Sequence, residues 1–165
     1  MPTTEIEAVV TADGLWINGH LFNKQVPVEH YHDALGTPSR TVAAGPPAPY
    51  GHRNNHVHYF DSAGIYLTEH HASRLIESVN FVFDLADSPF PVDKAFSGCL
   101  KIDGRQFRSG MKERDLALAQ FRHDLAGEYS LRHENCRICI STMGRRVPGG
   151  KRRKPRYLVG VSVGL

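Results

Sequence analysis

The sequence predicts an α+β fold of two tandem units, each a mostly antiparallel sheet of about four strands with one or two helices packed on one face. Three observations lead there. Several short segments alternate apolar and polar residues with the period of two that suits a half-buried strand. One segment in each half instead carries apolar residues at helical spacing. The order strand, helix, three strands occurs twice, and Leu15, Ile17, Gly19 and Phe22 fall on Leu100, Ile102, Gly104 and Phe107 at a constant spacing of 85. The expected units are 1–90 and 91–165, together one compact domain with an internal repeat.

In the first unit, residues 15–22 read LWINGHLF, an alternating run interrupted by Asn-Gly, the dipeptide of tight hairpins. Pro27 stands at a helix entry and Gly36 just past its end, with Val28, Tyr31 and Leu35 on one face of the short helix between them. Residues 37–51 are rich in Pro and Gly and read as loop. Three strands follow over 56–61, 65–69 and 76–85, the first two joined by the hairpin signal Ser62-Ala63-Gly64. In the second unit, Cys99 to Phe107 repeats the hairpin pattern. Leu118, Phe121 and Leu125 recur at i, i+3 and i+7 before Gly127, which predicts a second helix. Strands over 129–132, 137–143 and 156–163 close the chain.

Composition bounds the function. Of 165 residues, 41% are hydrophobic and 22% charged, an ordinary balance for a chain with a core. The N-terminus lacks a basic stretch followed by an apolar core, and no apolar run approaches the ~20 residues of a membrane helix. The expected location is the cytoplasm. Three cysteines are too few for a disulfide scaffold and read as reduced thiols.

The segment Leu35-Gly36-Thr37-Pro38-Ser39-Arg40, the hairpin Tyr59-Phe60-Asp61-Ser62-Ala63-Gly64-Ile65, and the later Phe96-Ser97-Gly98-Cys99-Leu100-Lys101-Ile102-Asp103-Gly104 carry a resemblance. The first two resemble the repeat unit of the beta-lactamase inhibitor protein and of small outer-membrane-assembly lipoproteins. All three together look more like cytoplasmic proteins encoded beside type VI secretion effectors, which neutralise those toxins. The resemblance implies a repeated α/β unit and a toxin as partner, and its matched residues read as turns, caps and core positions.

Alternation places Leu15, Ile17, Val57, Tyr59, Ile65, Leu67, Val79, Phe81 and Phe83 on the core face of the first unit. Trp16, Asn18, His56, His58, Phe60, Tyr66, Thr68, Ser78 and Asn80 take the opposite face, a mixture of aromatic and small polar residues that protein interfaces favour. In the second unit Leu100, Ile102, Ile138, Ile140, Tyr157, Val159, Val161 and Val163 read as core, while Lys101, Asp103, Arg137, Cys139, Ser141, Gly160 and Ser162 face away. Whether the two open faces meet inside the protein or await a partner is left open by alternation.

Chemistry-bearing motifs are sparse. His56-x-His58 would project two imidazoles together on a strand, with Glu69 or His70 as a third metal ligand, but no family spacing supports the set. Cys136-x-x-Cys139 enters a strand, where its thiols would face opposite sides. There is no nucleophile elbow, phosphate-binding glycine loop or paired-carboxylate signature. No cofactor or metal is expected, and the protein does not read as an enzyme. The strongest charge feature is residues 144–156, with seven basic residues and no acid in a Pro/Gly-rich connection.

These readings converge on an immunity protein that binds a cognate secreted toxin and blocks its active site or substrate access. The expected contacts are Trp16, His56, His58, Phe60 and Tyr66 on the open sheet and Arg146, Lys151, Arg152 and Arg153 on the basic connection. Two alternatives remain: a nucleic-acid-binding accessory domain using residues 145–156, and a metal-dependent hydrolase using His56 and His58. Neither a membrane nor a nucleic acid is the expected partner of the first reading.

Overall fold

The computed structural model describes residues 5–45, 55–87, 92–125, 127–146 and 152–165. Among these, the first strands are β1 (Glu7–Thr11), β2 (Gly14–Ile17) and β3 (His20–Phe22). A 3-10 turn, Val28–Tyr31, runs into the one short helix, α1 (His32–Leu35). Then come β4 (Arg40–Val42), β5 (Asn55–Phe60), β6 (Ile65–His70) and β7 (Ile76–Val82). The second half supplies β8 (Cys99–Ile102), β9 (Arg105–Phe107), β10 (Arg122–Leu125), β11 (Glu128–Arg132), β12 (Arg137–Arg146) and β13 (Arg152–Gly164).

The repeated hairpins form as their sequences dictate. Asn18 and Gly19 take φ of 48° and 85°, and Asp103 and Gly104 take 48° and 79°, so both turns have the two positive-φ residues that match strand twist. The registers agree as well. Leu15 pairs with Phe22 and Ile17 with His20, while Leu100 pairs with Phe107 and Ile102 with Arg105. Between the hairpins lies β1, antiparallel to β2 and parallel to β8, which makes a five-stranded sheet in the order β3-β2-β1-β8-β9. The sequence reading did not assign β1 as a strand.

The remaining strands form one eight-stranded sheet, β10-β11-β12-β13-β7-β6-β5-β4. Each half supplies four neighbouring strands, and β7 and β13 meet antiparallel at the middle, with Phe81 opposite Val161. The two halves thus stand side by side in a common sheet. The expected boundary at 90/91 lies outside the described residues.

This corrects the expected α+β class. Among the described residues the structure is mostly β, with 50% strand against 12% helical, and no helix there covers each set of four strands. The apolar face of the large sheet is covered chiefly by the small sheet. Ala8, Val10, Leu15, Ile17, Leu100, Ile102 and Phe107 pack with Ile65, Leu67, Val79, Phe81, Ile138, Ile140 and Val161 in one core. The first predicted helix exists and inserts Val28, Tyr31 and Ala34 into that core, with Tyr31 stacked on Phe22 at 4.0 Å. The second does not. Ala117 takes φ of 50°, Phe121 is buried by a turn closed on the Leu118 carbonyl, and Arg122–Leu125 pairs with β11 instead. A helix this short is weak in isolation, and strand pairing satisfies its backbone more cooperatively.

The motif residues do structural work. Arg40 grips Asp61 through Nε–Oδ2 at 2.9 Å and Nη2–Oδ1 at 3.1 Å, which ties the Leu-Gly-x-Pro-x-Arg segment to the β5–β6 hairpin. Its guanidinium carbon also lies 3.6 Å from the Tyr59 ring centroid. Gly64 has φ of 69°, and any Cβ there would collide with the backbone of Ala95 and Phe96. Phe96 in turn packs edge-on against Phe81 and Phe83, at 5.1 and 5.6 Å between centroids.

Candidate interaction surface

One rung of the eight-stranded sheet can be followed across all its strands: Arg122, Ser130, Cys139, Ser162, Asn80, Tyr66, Tyr59 and Arg40. Directly opposed residues share a face, so these lie on the outer side of the large sheet. The next outer rung runs from Arg132 through Arg137, Gly164, Ser78, Thr68 and Val57 to Val42. The middle of this surface is built of small residues. Thr68 and Ser78 hydroxyls lie 2.6 Å apart, and the Asn80 amide donates to Ser78 Oγ at 2.9 Å and to the Tyr66 carbonyl at 3.3 Å. Between the strands Tyr66, Asn80, Ser141, Gly160 and Ser162 line a depression of about 120 Å³.

The sequence-predicted contacts are dispersed by this architecture. Tyr66 does face outward, but it packs with Val57, Tyr59, Val82 and Val92 in a small cluster and is 8% exposed. Trp16 lies on the outer side of the other sheet, in the row Leu21, Trp16, Val9, Lys101 and Gln106, and so faces away from the Tyr66 surface. His56, His58 and Phe60 turn inward, the reverse of the expected face, and Val57 and Tyr59 turn outward. Phe60 belongs to the main core. Both sides of β5 are covered, so the side-chain pattern alone cannot tell which is which.

The histidines also find partners other than a metal. His58 Nε2 is 3.0 Å from Glu69 Oε2, and its Nδ1 is 2.9 Å from Thr41 Oγ1. His56 Nδ1 accepts the Ala44 N–H at 3.2 Å. Glu69 thus joins His58 as a buried polar partner, and Arg74 Nε lies 2.6 Å from its other oxygen. Among the described residues, no group of three His, Cys, Asp or Glu side chains is placed to hold an ion. Burial raises the thiol pKa of both Cys136 and Cys139.

The basic segment becomes an arm. β12 and β13 continue past the part of β13 that pairs with β7, and their register sets Arg145 opposite Arg153 and Arg146 opposite Arg152. Two residues, Lys154 and Pro155, are bulged between Arg153 and Arg156, so the register shifts where the arm begins. Lys151 lies outside the described residues. At the arm's base the sequence reading missed a polar cluster: Arg156 Nε lies 3.4 Å from Glu113 Oε2, Tyr129 donates its hydroxyl to Glu113 Oε1, and Arg156 Nη2 donates to the Thr142 carbonyl at 2.9 Å. Its members come from four separate segments, so no sequence spacing announces it.

Fold and surface together define a two-sheet β protein with a small-residue outer face and a cationic hairpin arm. Residues 7–117 match the family described as Domain of unknown function (DUF7738), and the chain belongs to that family. The match runs from β1 to just beyond the turn at residues 113–115 and stops before β10, so the arm lies outside it. No curated protein and no solved structure matches the chain. Nothing in these comparisons links it to immunity proteins or to the beta-lactamase inhibitor protein.

Proposed function

We propose that this protein is a binding protein of the immunity class, which captures a secreted bacterial toxin in the cytoplasm and blocks its active site or substrate route without turnover. The observation that carries the reading is the arm's register, with arginine opposite arginine at two successive rungs. Like charges directly opposed weaken a strand pair. An acidic partner surface would relieve that repulsion and accelerate association. The contact set is accordingly redrawn around Arg145, Arg146, Arg152 and Arg153 on the arm and the exposed Arg137 with the half-buried Ser141 and Ser162 on the adjoining sheet face. Co-expression with the product of the adjacent gene tests the proposal. It expects a stable complex and rescue of growth, and toxicity that persists with no complex formed would sink it.

The same arginines favour a second reading, a nucleic-acid-binding accessory domain. That reading expects affinity for random duplex or single strands that falls steeply with salt. Retention of toxin binding alongside no detectable nucleic-acid binding separates the two.

A further inference from the structure

The two halves differ at the base of the arm. Leu131 opposite Ile138 takes the place that Phe60 opposite Ile65 holds in the first half, which equates His58 with Tyr129, Thr41 with His123 and Glu69 with Thr142. In the first half those positions form a hydrogen-bonded chain from the exposed Thr41 to the buried His58 and Glu69. The helical segment between the hairpin and β4 sends Val28, Tyr31 and Ala34 into the core. Its counterpart in the second half is the single turn Glu113–Asp115, which buries none of its residues. Beside that turn a cavity of about 700 Å³ is left open.

The lining of this cavity has a definite chemistry. Lys112, Arg114 and Arg156 face one carboxylate, Glu113. Lys112 makes no ion pair among the described residues, and Arg114 reaches only Asp115, at 3.7 Å on the surface. His123 is exposed and stacked on Tyr129, with centroids 4.8 Å apart and planes 21° from parallel. Arg156 is anchored by the Thr142 carbonyl, and it runs through the space a Cβ on Gly127 would fill. Glu113 takes both the Tyr129 hydroxyl and the Arg156 guanidinium, so the protein's own carboxylate stands where an incoming anion would find its donors.

We infer that this cavity binds a small phosphorylated ligand carrying a flat ring, of the nucleoside monophosphate class. The ring stacks on His123 and the phosphate lies between Lys112 and Arg156, competing with Glu113. The volume suits a ligand of that size and exceeds what one partner side chain would fill. The site is separate from the toxin-binding surface proposed above and does not depend on it.

The test is calorimetric titration of the full chain with adenosine monophosphate and cytidine monophosphate, with ribose 5-phosphate as the ring-free probe. Both nucleotides should bind more tightly than ribose 5-phosphate. Lys112→Ala should weaken them about tenfold. Glu113→Gln, which keeps an acceptor for Tyr129 but removes the competing charge, should tighten them. His123→Ala should reduce the nucleotides to the affinity of ribose 5-phosphate. Circular dichroism establishes that each variant is folded. The inference is overturned if neither nucleotide binds the native chain or Glu113→Gln at millimolar concentration. It is equally overturned if ribose 5-phosphate binds as well as the nucleotides, or if Glu113→Gln weakens binding.

Discussion

His58 Nε2 lies 3.0 Å from Glu69 Oε2 inside the sandwich, with the two side chains only 5% and 2% exposed. The pair bridges neighbouring strands β5 and β6, and Thr41 and Arg74 complete it from the β4 edge and the β6–β7 connection. Sealed polar groups of this kind contribute little net stability when paired, but leaving one without its partner is expensive.

Glu69→Ala should therefore destabilise the protein by about 3 kcal/mol, since it strands His58 in the core. The double variant His58→Leu, Glu69→Leu should recover much of that loss by replacing the pair with apolar volume. Thermal and denaturant unfolding read both. A loss no larger than that of an exposed substitution would show that the pair is not sealed.

Two glycines in turns should behave differently. Gly104 has φ of 79° with open space around its missing Cβ, so Gly104→Ala costs only backbone strain, about 1 kcal/mol. Gly64 has φ of 69° and the Phe96 backbone in the way. Gly64→Ala should cost about 3 kcal/mol or more, because backbone on both sides must move. Equal denaturation midpoints for the two variants would contradict this ranking.

Arg153→Glu places an acid opposite Arg145. The hairpin should gain about 0.5 kcal/mol in stability, while association with an acidic partner slows by about tenfold at low salt. Unfolding curves and association rates across a salt series give the two readouts. A variant that is more stable yet binds at an unchanged rate would remove the arm from the interface.

Tyr129 has its hydroxyl pKa pushed up to about 12 by burial first, and then by its hydrogen bond to Glu113 and that carboxylate's charge; Arg156 opposes the shift. The folded state therefore holds this proton where the unfolded chain, near 10, has released it. The resulting stability is fully present below pH 10 and is lost as pH rises towards about 12. Tyr129→Phe should flatten that part of the alkaline stability curve, and ultraviolet titration of the folded protein should lose one late-ionising tyrosine, with the more deeply buried Tyr31 and Tyr66 still ionising after it. A curve of unchanged slope would count against the cluster.

Much of the local structure was legible. The Asn18-Gly19 and Asp103-Gly104 turns announced their hairpins because few dipeptides tolerate two successive positive φ values. Strands β5, β6, β7, β12 and β13 stood out by alternation, as did the outward row of Ser78, Asn80, Cys139, Ser141 and Ser162. The surface was less legible. Its predicted members were correct for β6, β7, β12 and β13 and inverted for β5, where His58 and Phe60 point inward and Tyr59 outward.

What the sequence determined by itself was the set of hairpins, their equivalence at a spacing of 85, and a run of basic residues without a single acid. These are local properties, set by turn conformation, side-chain period and composition. Only the tertiary structure decided that the apolar faces are covered by a second sheet rather than by helices, that β7 joins β13 to merge the halves, and that residues 122–125 pair as a strand. An apolar sheet face needs only to be buried, and its own residues do not specify what buries it. For the same reason the cluster of Glu113, Tyr129, Thr142 and Arg156 came into being only when four segments met at the foot of the arm.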